Sequence, residues 1–127
     1  KAVENAGSRP MAAPKPLDTI KKRADFLTAQ AGERAGTPSF LLIRGKAANG
    51  LDHPRVGFTV TKKLGKAVIR NRIRRRLREA ARRVLPEYGV AGFDYVLIAR
   101  PAAEARAFAL LLDDMKRGLL RLAALPK

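Results

Sequence analysis

The chain has 127 residues, 46% of them apolar, and carries 27 Lys and Arg against 11 Asp and Glu, a net charge of +16. That length suits one domain with a modest core, and the charge favours polyanionic partners, because Lys and Arg displace the counterions condensed on phosphates. The absence of cysteine excludes disulfides, thiolate zinc sites and thiol catalysis, and no apolar run approaches the ~20 residues of a membrane span.

Residues 1–16, KAVENAGSRPMAAPKP, read as a flexible lead-in without a signal-peptide core, and residues 17–127 as a single domain without repeats. LDTIKKRADFLTAQAGER, 17–34, predicts a first helix with Asp18 as N-cap and Gly32 near its end. SFLLIRG, 39–45, is an apolar run of strand length, and KAANGLDHP, 46–54, holds Asn-Gly and Pro and predicts a hairpin loop. RVGFTVTKK, 55–63, alternates: Val56, Phe58 and Val60 take the core side, while Gly57, Thr59, Thr61 and Lys63 take the other.

A turn around Gly65 leads into a helix over 67–84. FDYVLIARP, 93–101, predicts a third strand, stopped by Pro101, which cannot donate to a ladder. Residues 103–125 then form a closing helix whose Phe108, Leu111, Leu112, Met115, Leu119 and Leu122 share one face, a core stripe. The order α-β-β-α-β-α defines an α+β sandwich, a small sheet with packed helices.

From Lys62 to Arg83 eleven Lys and Arg stand against one acid, Glu79. Ile69, Ile73, Leu77, Ala80 and Val84 form a stripe able to pack on the sheet, and the rest of the helix carries arginine around Asn71. Like charges four apart, as in Arg70, Arg74 and Arg78, weaken a helix. A merely solvated face could intersperse Glu, so the pattern points to a counter-charge from outside, and Arg suits bidentate contact with phosphate. There are no zipper heptads and the helix lies between strands, which disfavours DNA-reading folds. RNA, bound by shape, phosphates and splayed single strands, fits better. A membrane-surface helix would carry aromatics at its apolar edge, and 67–84 has none.

RVGFTVTKKLGKAVIRNRIRRRLREAAR, 55–82, resembles the signature region of the bacterial ribonuclease P protein family. The matching elements are Arg70-Asn71-Arg72, continued by Arg74, Arg75 and Arg78, and the preceding KKLGKAV. A weaker likeness runs from Leu17 to Arg121, including ADF in the first helix and DYVLIARP in the last strand. The resemblance implies a left-handed βαβ crossover and a cytoplasmic protein that assists an RNA catalyst, with Mg²⁺ bound mainly by that RNA, in cutting the 5′ leader from precursor tRNA. It implies that Lys62, Arg70, Asn71, Arg72, Arg74, Arg75 and Arg78 contact the ribonuclease P RNA. It further implies a leader cleft between the first helix and the sheet, formed by Phe26, Leu41, Ile43, Thr59, Thr61 and Lys63, where Phe26 can stack on a base. Gln30 stands where many relatives carry a second aromatic, and Ile43 where one can occur, so leader binding leans more on Lys63 and backbone phosphates.

The acids are scattered, which disfavours a protein-only, metal-dependent nuclease. Asp113 and Asp114 are expected on a helix side beside Arg117, and His53, the single histidine, as an exposed loop residue rather than a base. No catalytic or metal-binding residue is assigned to the protein itself.

Overall fold

The computed structural model describes residues 17–124, so the lead-in expected over 1–16 lies outside the described residues. In chain order it has α1 (Arg23–Gln30), β1 (Glu33–Gly36), β2 (Phe40–Ala48), β3 (Arg55–Thr59), a 3₁₀ turn (Lys62–Leu64), α2 (Ala67–Tyr88), β4 (Phe93–Ala99), a second 3₁₀ turn (Pro101–Ala103) and α3 (Phe108–Ala123). The four strands form one sheet in the order β1-β2-β4-β3. β2 pairs antiparallel with β1 and β4, whereas β3 and β4 run parallel, joined through α2 as a βαβ unit.

Alternation along β2 divides the core. Phe40 and Leu42 enter the main cluster, with Ile73, Leu77 and Ala80 of α2 and Leu111, Met115, Leu119 and Leu122 of α3. Leu41 and Ile43 face the other way, into a small cluster with Ala29, Val96, Ile98, Ile20 and Phe26. The sheet thus carries a thick layer of two helices on one face and the single short α1 on the other, the α+β arrangement expected from the element order.

Local departures have local causes. The first helix begins at Arg23, and Asp18 does not cap it; Asp18 instead pairs with His53, Oδ2 to Nε2 at 2.7 Å. Residues 18–20 lie along the outer edge of β3, with Ile20 N–H donating to the Val56 carbonyl and Val56 N–H to that of Asp18, both at 3.0 Å. The helix stops at Gln30 because Gly32 is pressed onto β2, where any β-carbon would lie 1.8 Å from the Arg44 carbonyl oxygen. Glu33–Gly36, expected as the end of that helix, is therefore the edge strand β1.

β2 runs past the expected end at Gly45 to Ala48, and β3 stops at Thr59, before Thr61 and Lys63. Helix α2 continues past Val84 to Tyr88 with Pro86 in its last turns. Pro101 does end β4, and the chain forms a 3₁₀ turn before α3 starts at Phe108 rather than Ala103.

Two buried polar anchors join the layers. Arg44, 3% exposed, donates to the Leu122 carbonyl at 2.8 Å and lies 5.4 Å from the centre of the Phe93 ring, tying β2 to the end of α3. Asp94 at the start of β4 accepts two bonds from Arg55 of β3, at 2.9 and 2.7 Å, and one from Asn49 at 2.9 Å. This bidentate pair fixes the register of the parallel strands at their entry.

Candidate nucleic-acid interface

The interface is built on α2. Its apolar stripe, Ile73, Leu77, Ala80, Ala81, Val84 and Leu85, is buried on the sheet and α3, which leaves the cations on the remaining arc. Gly65, with φ of +137° in the region that favours glycine, turns the chain into this helix, and its carbonyl accepts a bond from Arg70 Nε at 3.2 Å. The first turn holds no acid, and its N-cap is Lys66, so the positive end of the helix dipole is surrounded by more positive charge.

The arginines of the run fall into three groups. Arg82 and Arg83 share the single carboxylate of Glu79, at 2.5 and 2.8 Å, and Arg72 reaches Glu104 at 3.0 Å. Arg76 turns inward, donating to the carbonyls of Ala103 and Arg106 beneath the second 3₁₀ turn. Arg70, Arg74, Arg75 and Arg78 form no ion pair with the described residues; Arg74 donates to the Asn71 side-chain oxygen at 3.0 Å. Lys62 and Lys63 extend this field from the neighbouring 3₁₀ turn, both exposed.

A cleft runs between α1 with its preceding segment and the β3–α2 side of the sheet. Phe26, Ile20, Phe58, Thr59 and Arg74 line it, and Gly57 and Arg78 lie at one end. Phe26 rests directly on Gly57, and Arg78 sits 6.0 Å from the centre of the Phe58 ring. The cleft thus combines aromatic faces with guanidinium and ammonium groups, the two components that bind single-stranded nucleic acid.

The expected site residues are only partly brought together. Phe26 and Thr59 line the cleft, and Leu41 is half-buried against its floor cluster. Ile43 is corrected: it is 0% exposed beneath α1, and so supports the cleft without lining it. Thr61 and Lys63 are exposed beyond the end of β3, on the approach through the 3₁₀ turn. Arg74 and Arg78, expected with the outward group, also border the cleft, so α2 serves two surfaces. Ile20 and Lys22 also line the cleft, from an extended segment before α1 that the sequence pattern predicts as helix.

His53 is an exposed loop residue, its side chain 39% exposed, and its two ring nitrogens meet Asp52 at 2.9 Å and Asp18 at 2.7 Å. These bonds hold the imidazole above its ordinary value near 6.5, while the bond from His53 holds Asp18 below the usual carboxylate range. Asp113 does pair with Arg117, but Asp114 is buried, accepting bonds from Arg106 and the Ser39 hydroxyl.

A basic α+β protein with a parallel β3–β4 pair, an arginine helix and an adjoining aromatic cleft matches one family of known proteins. The Ribonuclease P family model covers residues 15–123, and the chain belongs to that family. It is 50% identical over 110 residues to the ribonuclease P protein component of Ruegeria pomeroyi, covering 85% of this chain and 88% of the relative. The counterpart from Paramagnetospirillum magneticum is 47% identical over 115 residues, covering 87% and 86%. Among solved structures, the ribonuclease P protein of Staphylococcus aureus superimposes with a TM-score of 0.67 at 30% identity, covering 86% of this chain and 97% of that one. That of Thermotoga maritima gives 0.66 at 30% identity, covering 79% and 96%.

Proposed function

We propose that this ribonuclease P protein binds the RNA subunit through the outward face of α2 and the 5′ leader of precursor tRNA through the cleft. In this reading it assists removal of the leader in the cytoplasm, giving the mature tRNA 5′ end. The observation that carries the reading is the cationic face of α2. Its arginines from 70 to 78 have one carboxylate partner among the described residues, Glu104 on Arg72, and they adjoin a cleft floored by Phe26. Like charges spaced four apart on one helix repel, and a docked RNA backbone removes that repulsion.

The chemistry belongs to the RNA and its Mg²⁺. Among the described residues no three His, Asp or Glu come together as a ligand set. Asn71, Arg72 and Arg75 would hold the RNA subunit, with Lys62 beside them. Phe26, Thr59 and Arg74 would position the leader, and Lys63 would meet its phosphates. A base stacked on Phe26 contributes about 1–3 kcal/mol.

Reconstitution tests this. Added to a bacterial ribonuclease P RNA at low Mg²⁺, the protein is expected to restore cleavage of precursor tRNA at its 5′ end, and failure at all protein concentrations rejects the assignment. Phe26→Ala is expected to weaken binding of leader-bearing precursor about 5- to 150-fold, the stacking energy converted to affinity, while mature tRNA binds as before. Equal losses for both would reject the cleft as the leader site.

A further inference from the structure

β3 and β1 are opposite edges of the sheet, about 14 Å apart across three strand spacings. The first edge belongs to the cleft. The second carries a separate cationic concavity around the β1–β2 turn, lined by Gly36, Pro38, Arg106, Arg117 and Arg121. Two guanidiniums are pinned on consecutive carbonyls: Arg121 donates to Gly36 O at 2.5 Å and Arg100 to Thr37 O at 2.7 Å.

The geometry points to a phosphodiester-binding site at the β1 edge, a second RNA contact on the side of the sheet opposite the cleft. An arginine has five N–H donors in a fixed fork, and the carbonyl contact uses one, so each pinned side chain keeps donors for a phosphate at reduced entropic loss. The carboxylates in the neighbourhood are already engaged. Asp114 is saturated by Arg106, at 2.6 and 3.0 Å, and by Ser39, while Asp113 holds Arg117 at 2.9 Å in a pair exposed enough to exchange for a stronger anion. The lining arginines Arg106, Arg117 and Arg121 outnumber Asp113 and Asp114 by one charge. No residue of this group belongs to α2 or the cleft, and it lies outside the arginine signature in sequence. RNA is the favoured polyanion because the site rests on the proposed function: a phosphate site on each edge lets one small protein hold two segments of RNA.

The chain has no cysteine, so Pro38→Cys offers a unique tether for an iron–EDTA cleavage reagent, with Val68→Cys on α2 as the reference position. In holoenzyme assembled from a bacterial ribonuclease P RNA and precursor tRNA, each labelled in turn, radicals from position 38 are expected to cut a segment distinct from that cut from position 68. The labelled strand that is cut tells whether the site holds the RNA subunit or the substrate. Arg117→Gln, which holds no backbone carbonyl, is expected to reduce the slope of log affinity against log salt by about one. Cuts from 68 with none from 38, and an unchanged slope, overturn the β1-edge site and leave the proposed function standing. Absence of RNA binding by the unsubstituted protein overturns both.

Discussion

A β-carbon built on Gly57 would lie 2.6 Å from the Phe26 ring, closer than van der Waals contact allows, and Ile20 closes the same space at 3.4 Å. The ring's seat is therefore made by the missing side chain. Gly57→Ala is expected to lower stability by about 1–3 kcal/mol through overpacking, read as a shifted urea midpoint, and to weaken leader binding in parallel. An unchanged midpoint would show that α1 does not rest where the structure places it. His53 supplies a second prediction at this scale. Only the imidazolium can donate to Asp18 and Asp52 at once, and its folded value is raised by those bonds. A raised folded value means that the contribution is complete below the unfolded value of about 6.5 and is lost as pH rises through the higher folded value. The Asp18 partner, lowered in the fold chiefly by His53, has the opposite sign: its contribution is lost as pH falls through its depressed value. Lys21, 3.7 Å from Asp18, and Arg55 face the same carboxylate. Urea stability of the unsubstituted protein should thus decline as pH rises from about 6.5 through the higher folded value, and His53→Asn should flatten that decline. An identical slope in the variant would remove the histidine from the account.

Helices and strands show where sequence patterns suffice and where they fail. The apolar stripe of α2 and that of α3 were legible because a 3.6-residue period against a sheet leaves few alternatives, and Ile73, Leu77, Leu111 and Leu119 are all buried. The edge strand β1 was not legible: Glu-Arg-Ala-Gly has poor strand propensity, and it is held by pairing with β2 and by Ala35 in the core. The cleft was half legible. Alternation placed Thr59 opposite the core face, but the burial of Ile43 depends on where α1 lies, which no local pattern specifies. Nor could periodicity separate the arginines by role, since the carbonyls that claim Arg76 lie about thirty positions away. That separation is testable at the level of α2. Arg75, which has no partner among the described residues, should when changed to Ala lower the salt slope for the RNA subunit by about one and leave discrimination for the leader intact. Arg74→Ala, on the cleft side, should also reduce that discrimination. Indistinguishable variants would mean that α2 presents one surface rather than two.

The whole molecule is asymmetric about its sheet. One face is closed by two helices that share nineteen buried core residues with the strands, whereas the other is covered by α1, whose single fully buried residue, Ala29, joins Ile43 and Val96. An eight-residue helix without a side-chain cap is not stable by propensity, so α1 stays in place through that small cluster and the seat of Phe26 on Gly57. Regions with few buried apolar contacts open locally before the fold as a whole. Native-state hydrogen exchange in low urea should therefore show the amides of α1 exchanging through a local opening well below the global free energy, while those of β2 and β4 exchange only on global unfolding. The cleft has one wall on each kind of element. Occupation by a single-stranded RNA leader should accordingly slow exchange in α1 far more than in β4, because a ligand bound across the cleft penalises the opening of its movable wall. Amides of α1 that exchange only with those of β2 and β4, with and without RNA, would show that the two faces of the sheet unfold as one and that the cleft is rigid on both sides.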